Sequence, residues 1–149
     1  MSHRVVTGSV IAALALSVVA CSDSAPSGGA TAGARRVFFV SPKNGDTVKS
    51  MSTIEFGSSG VTVGAVPPGE LKPEQVRANI IHYHLGVDTD CLGDGIVIPK
   101  ADPWIHFGDG KNVIEMSLKP GPHRLAVQAG DDMHRTIPGM CEVISVNVQ

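Results

Sequence analysis

Aromatic residues are scarce in this chain of 149 residues: four Phe, one Tyr and one Trp, or 4% of the total. So thin a supply argues against a carbohydrate platform built from several flat rings. Lys and Arg number 12 against 14 Asp and Glu, and nowhere do the cations cluster. Phosphate neutralisation needs such a cluster, so nucleic acid is excluded as a partner. No stretch carries apolar residues at the 3.6-residue period of a buried helix, and no internal repeat is present. There is no Gly-x-Ser-x-Gly element, and no Ser, His and Asp arrangement stands out as a nucleophile. The apolar run from Val10 to Val19 is short for a membrane span, and only three cysteines occur.

What is present begins at that apolar run. It follows Arg4 and ends in Val18-Val19-Ala20-Cys21, which resembles the lipobox of a bacterial lipoprotein signal. The resemblance implies a signal peptide over residues 1–20, cleavage before Cys21, and acylation of Cys21. The competing reading is a plain secretory signal with a coincidental cysteine. Acyl chains would hold the protein on a bacterial membrane, at the periplasmic face or cell surface, because each buried CH₂ contributes about 0.8 kcal/mol. Ser22, where an aspartate would mark retention, points to the outer membrane. Between Ser22 and Ala34 no large apolar side chain occurs, so residues 21–35 form a lipidated cysteine and flexible tether. Residues 36–149 then make one domain of ordinary size. Loss of Arg4 with the signal leaves 11 basic against 14 acidic residues, a net charge of minus 3.

With Cys21 assigned to lipid, Cys91 and Cys141 remain as a pair in an oxidising compartment, where a disulfide is expected. The alternative, two thiolate ligands for copper(I), lacks the close spacing of a Cys-x-x-Cys site.

Segments rich in Val, Ile and Phe, separated by Gly, Pro and Asn-Gly turns, predict strands at 36–41, 52–58, 78–88, 112–118, 123–129 and 142–148. Shorter pieces near 61–63, 96–98 and 104–107 add edges. The prolines of Val66-Pro67-Pro68-Gly69-Glu70-Leu71-Lys72-Pro73 cannot donate to a ladder, which makes that segment a loop with room for one helical turn. The expected fold is all-β, an immunoglobulin-like antiparallel β-sandwich.

Five of the six histidines lie between positions 82 and 134, and two of them stand in Ile80-Ile81-His82-Tyr83-His84-Leu85-Gly86-Val87-Asp88. Alternation turns Ile81, Tyr83, Leu85 and Val87 to the core and His82, His84 and Asp88 to the outer face, in water or under a covering loop. Ile114, Met116, Leu118, Leu125, Val127, Ile144, Val146 and Val148 complete the core. The tight Leu118-Lys119-Pro120-Gly121-Pro122-His123 connection suggests that 112–118 and 123–129 form a hairpin. His106 would then share one end of it with Gly130-Asp131-Asp132-Met133-His134. A Cys91 to Cys141 bridge would bring the outgoing end of the His82/His84 strand to the same place. His123 falls at the opposite end, packed or hydrogen-bonded at the core margin. Asp88, Asp90, Asp94, Asp102, Asp109, Asp131 and Asp132 map to loops at the favoured end, forming an acidic rim that attracts cations.

Imidazoles two residues apart on a strand can converge on one ion at about 2.0–2.1 Å. The candidate metal ligands are therefore His82, His84, His106 and His134, with Asp131 and Asp132 as acceptors that orient an imidazole. Neutral nitrogen donors suit copper(II) or zinc. Ordinary imidazoles would release the ion below about pH 6. The competing reading is a set of solvated surface histidines with an acidic loop fringe.

Together, Val37-Phe38-Phe39-Val40-Ser41-Pro42-Lys43-Asn44-Gly45, His82-Tyr83-His84-Leu85, Ile105-His106-Phe107-Gly108-Asp109-Gly110, Pro120-Gly121-Pro122-His123-Arg124-Leu125 and Gly130-Asp131-Asp132-Met133-His134 resemble, in order, a bacterial domain of unknown function, the family numbered 4399. The resemblance implies an exported β-sandwich and leaves the chemistry open. It departs from the family's usual His-x-His-Phe-Gly, since Trp104 takes the first histidine position. Gly110-Lys111-Asn112-Val113 likewise replaces a Gly-Gln-Thr-Glu-like run. The paired His-x-His spacing is also similar to copper-zinc superoxide dismutase, which implies a redox enzyme as a minority alternative. A third class is an envelope module holding a sugar or a protein through Tyr83, Trp104 and Phe107, unless Trp104 is a buried plug between the sheets. The expectation carried forward is a lipid-anchored, non-enzymatic domain that binds copper or zinc.

Overall fold

A computed structural model describes residues 34–149. The expected signal peptide, the lipidation at Cys21 and nearly all of the tether lie outside the described residues. Nine strands follow in chain order: β1 (Arg36–Ser41), β2 (Thr47–Val48), β3 (Met51–Ser59), β4 (Thr62–Val63), β5 (Ile80–Val87), β6 (Trp104–His106), β7 (Val113–Ser117), β8 (Gly121–Gly130) and β9 (Thr136–Val148). A single 3₁₀ turn at Pro73–Gln75 interrupts the proline-rich loop. No α-helix occurs among the described residues.

The strands form two facing sheets, the immunoglobulin-like β-sandwich read from the sequence. One is antiparallel in the order β1-β3-β7. The other runs β2-β9-β8-β5-β4, with β6 also paired to β5. Its long strands are antiparallel, while the two-residue strands β2 and β4 add in parallel to β9 and β5.

Alternation builds the core. Val37, Phe39, Ile54 and Phe56 from the smaller sheet meet Ile81, Tyr83, Leu85, Leu125, Val127, Ile144, Val146 and Val148 from the larger. Phe56 sits at its centre, with ring centroids of Phe39, Tyr83 and Phe107 at 5.7, 5.3 and 5.2 Å. Such edge and tilted contacts add roughly 0.5–1.5 kcal/mol each beyond the buried area. Ile114 and Met116 are partly buried against this core and Leu118 is fully buried.

The expected hairpin of 112–118 with 123–129 does not form. β7 pairs with β3, whereas β8 pairs with β5 and β9, so Leu118 to Gly121 arches from one sheet to the other. A tight Pro-Gly connection reverses the chain, but the free edge of β3 supplies β7 with a partner in the opposite sheet.

The outer face of the large sheet carries a second apolar cluster. Trp104, Ile98 and Ala126 are buried there against Leu92 and Val143. Leu85 pairs with Ile105 and points inward, so the neighbouring Trp104 points outward. Trp104 is therefore buried, yet beneath the loop from Asp90 to Asp102 and not between the sheets. That loop is fastened by the Cys91–Cys141 disulfide, by Gln128, by hydrogen bonds of Gly93, Gly95 and Ile96 with Thr136, and by the bridge between Val97 and Arg135. The buried Gln128 amide accepts from Leu92 N (2.9 Å) and donates to Leu92 O (3.0 Å).

Because the disulfide closes a separation of 50 residues, the Cys91→Ser, Cys141→Ser pair should lose about 2–4 kcal/mol of stability in urea unfolding. Emission from the single tryptophan should shift to the red as the loop loosens over Trp104. Unchanged emission together with unchanged stability would show that the hydrogen bonds of Gln128 and Thr136 and the Val97 bridge hold the loop without the disulfide.

Candidate metal centre

β5 is buried on both faces, from Ile81 to Gly86. A strand covered on one side only would alternate, so its histidine face must be covered by something else. His82 and His84 are 1% and 0% exposed. They do lie on the outer face, but they are sealed there, which decides between the water and the covering loop in favour of cover.

The cover comes from two directions. β6 pairs with β5 in the register His84↔His106, which sets the two imidazoles side by side with centroids 5.1 Å apart. On the other strand edge, β8 ends at Gly130 opposite His82, and the turn that follows brings in His134. His134 Nε2 lies 3.0 Å from His106 Nε2. Centroids of all four rings fall between 4.6 and 5.8 Å of one another. One ring nitrogen from each of His82, His84 and His106 falls within 4.8 Å of the others.

Two glycines make this packing possible. A Cβ on Gly130 would stand 2.9 Å from His84 Cε1 and 3.2 Å from His82 Cε1. A Cβ on Gly108 would overlap the His106 ring at 2.3 Å. Read from the sequence alone, neither glycine has a packing role; Gly130 stands opposite His82 in the ladder, where a glycine signals close approach.

The aspartates expected to orient imidazoles do something different. Asp131 Oδ1 accepts the backbone N–H groups of Met133 (2.8 Å) and Arg135 (2.9 Å), which closes the turn on itself. Asp132 is buried and accepts from Arg77, through Nε and the backbone N–H at 2.9 Å each and through Nη2 at 2.7 Å. With their oxygens held by backbone amides and by a guanidinium, Asp131 and Asp132 hold the turn and not a ring. His134 itself has φ +63°, a left-handed conformation that a non-glycine residue keeps only where its surroundings impose it. The Arg77 latch was missed because nothing local in the sequence relates residue 77 to residue 132.

The acidic rim is also divided. Asp88 and Asp90 lie at the far end, where Asp88 accepts from His123 Nδ1 (3.0 Å) and Asp90 pairs with Arg124. His123 Nε2 bonds Lys119 O at 2.8 Å, so this histidine is hydrogen-bonded at the margin, away from the cluster. The incoming end of β5, not its outgoing end, meets His134, since β5 and β8 are antiparallel with His82 opposite Gly130 and Val87 opposite Leu125.

Three nitrogens in the cluster are buried without any hydrogen-bond partner: His82 Nε2, His84 Nδ1 and His84 Nε2. Such orphaned groups are rare, and each costs roughly 1–3 kcal/mol. Burial also keeps the rings neutral. It pushes His82 down to about 3, with the nearby His134 and His106 adding to the effect, and His84 down to about 2, with His82 and His106 adding. Burial and Lys100 push His134 down to about 4, and they lower His106 as well. The expectation of metal release near pH 6 took ordinary imidazoles, whereas these rings stay neutral to lower pH.

The same depression sets the pH dependence of folding. Between the unfolded value of about 6.5 and the native values near 2–4, the unfolded chain takes up protons that the native cluster refuses. Stability is then complete above about pH 6.5 and falls as the pH drops through that window. Urea midpoints of the metal-free protein should decline steadily from about pH 7 to about pH 4, and a flat profile would mean that the rings are solvated. Gly130→Ala should cost about 1–3 kcal/mol by forcing His84 aside. Gly93→Ala, where the nearest atom is 4.0 Å away, should be close to neutral in the same assay.

No curated protein matches the chain. Among solved structures it is similar to fibronectin(III)-like modules of Clostridium thermocellum CbhA, at 13% identity and a TM-score of 0.42, covering 76% of this chain and 96% of that one. Residues 54–149 match the family described as Domain of unknown function (DUF4399), a span that includes all four clustered histidines and both bridged cysteines. The chain therefore belongs to the DUF4399 family.

Proposed function

We propose that this protein is a lipid-anchored, extracytoplasmic domain that binds copper or zinc through His82, His84, His106 and His134 and handles the ion without turning over a substrate. The observation that carries this reading is the set of orphaned nitrogens on His82 and His84, aimed at one another and at His106 inside a sealed face. A protein seldom buries unpartnered imidazoles, and a metal ion is the partner that satisfies several lone pairs at once.

The donor set fits such an ion. Nitrogens bound at 2.0–2.1 Å stand about 3.3 Å apart around a tetrahedral centre. The His106 and His134 nitrogens are already at 3.0 Å; the trio of His82, His84 and His106, within 4.8 Å, would contract by up to about 1.5 Å, with His134 joining through its contact to His106. His82 and His84 would hold the ion from the rigid sheet, and His106 and His134 from its margins. When bound, the ion supplies a full divalent charge, because four imidazoles bring none. The chain's own residues keep the rings neutral, exclude water and aim the lone pairs. Cys91 and Cys141 are joined to each other, so they are not thiolate ligands.

The lipobox-like residues 18–21, the tether-like composition that follows and the Cys91–Cys141 disulfide support an envelope location. The burial of His82 and His84 supports metal handling over turnover, since the inner pair is closed to substrate. The sugar-binding alternative loses its platform, because Tyr83, Trp104 and Phe107 are all buried. A protein-docking role keeps one supporting feature, the neighbouring exposed side chains of Ile96 and Val97.

Calorimetric titration of the untagged protein with copper(II) and with zinc should give one site per chain, lost in the His82→Ala, His84→Ala double variant. Affinity should persist from about pH 7 to about pH 5 and fade toward pH 4, where His134 begins to protonate. Absence of binding in a folded sample would remove the proposal. Catalytic consumption of superoxide by the metal-loaded protein would replace it with the redox-enzyme alternative.

A further inference from the structure

One side of the histidine cluster opens to a cleft of about 450 Å³. His134 and Met133 line it together with Lys100, and Val66, Pro67 and Leu71 form the opposite wall. His134 is in turn in contact with His106 and His82, so the cleft reaches the cluster through one imidazole.

The charges around this opening do not balance once the cluster holds a divalent ion. Four imidazoles contribute no negative charge, and neither cysteine is available as a thiolate. Asp132, the buried carboxylate of the cleft, is neutralised by Arg77 in a bidentate pair. Asp131 gives an oxygen to two backbone amides and keeps a negative charge that opposes Lys100 at His134, which falls short of the two charges of the ion, and Asp109, on the His106 side, is paired with Lys111 at 2.8 Å. Glu70 is exposed at the outer lip. Lys100 makes no ion pair or hydrogen bond among the described residues, and its positive charge bears on all four imidazoles. A divalent ion beside an unpaired ammonium, in surroundings of low polarisability, leaves strong positive potential at the inner end of the cleft. The chemistry that answers it is a small anion.

Resting on the metal-binding reading above, we infer that the loaded centre takes a small monoanion, inorganic or carboxylate, from the cleft between Val66-Pro67 and Lys100, with Lys100 as its fixed counter-charge. The cleft admits a ligand of this size, and His134 at its floor marks the side of the centre an anion can approach. Lys100 then has two opposed effects. It disfavours the bare cation by like-charge repulsion, and it favours the cation together with its anion.

The test uses the copper(II)-loaded protein, titrated with azide and followed by the ligand-to-metal absorption that azide develops on copper(II), with acetate as competitor. Saturable azide binding is expected, and acetate should displace it. Lys100→Ala should weaken azide about tenfold while leaving copper bound at equal or higher affinity. Lys49→Ala, which changes the net charge equally but lies exposed between β2 and β3, outside the cleft lining, should leave azide affinity unchanged. Failure of copper to bind would sink the metal reading itself. Copper binding without saturable azide binding, or equal azide affinity in the parent and Lys100→Ala proteins, would overturn the anion site alone. Saturable azide binding that acetate does not displace would overturn the carboxylate part of the inference and restrict the ligand to inorganic anions.

Discussion

Four imidazoles, two of them sealed from solvent, cluster on the outer face of a sheet, and most of the unusual features of this molecule follow from that constraint. A sandwich ordinarily leaves its outer faces to water. Here the face of β5 that carries His82 and His84 is roofed by β6, by the turn after β8 and, beside it, by the disulfide-tied loop over Trp104. Each part of the roof requires its own local device. Gly130 and Gly108 give up side chains to admit the rings, Asp131 folds the turn, and Arg77 latches it through Asp132. Gln128 satisfies its buried amide on both sides of Leu92.

The contrast between Gln128 and His84 is informative. They are cross-strand neighbours in the ladder, and both are buried on the same face. Gln128 finds a donor and an acceptor, whereas His84 finds neither. A fold able to satisfy one polar side chain so completely could have placed Leu or Val at positions 82 and 84 with a gain in stability. Retaining two orphaned rings therefore costs several kcal/mol by the usual figure of about 1–3 per group. Violations of this kind concentrate where a chain trades stability for a site.

Much of this was legible in the sequence, for physical reasons that differ from element to element. Strict alternation through Ile81, Tyr83, Leu85 and Val87 fixes which way β5 faces, because the side-chain period of a strand is two. The sandwich class follows from short β-rich segments between Gly and Pro turns. The meeting of His106 with His134 was anticipated, yet by way of a hairpin that does not exist. The proximity arises because β6 and the end of β8 both abut β5, from its two edges. Strand partners in a sandwich depend on long-range edge competition that turn chemistry does not encode. For the same reason the Arg77 to Asp132 contact, 55 residues apart, left no local signal. Burial of the histidines was open, since a polar face of a strand reads the same whether water or a loop covers it.

The four rings also divide into a stiff pair and an adjustable pair, and this division bears on how the centre could work. His82 and His84 ride in the middle of β5, hydrogen-bonded to β8 along most of its length, so their backbone cannot shift without disturbing the core side chains of Tyr83 and Leu85. His106 closes a three-residue strand, and His134 sits in a left-handed conformation at the end of a turn. Any contraction needed to bring all the nitrogens to one ion therefore falls on the marginal pair, whose supports are a turn and a latch and not a sheet. The direction of adjustment matches the direction of access, because His134 is also the ring at the floor of the open cleft. A rigid half that presets the geometry, with a compliant half at the entrance, suits the proposed centre, which would have to admit an ion and hold it.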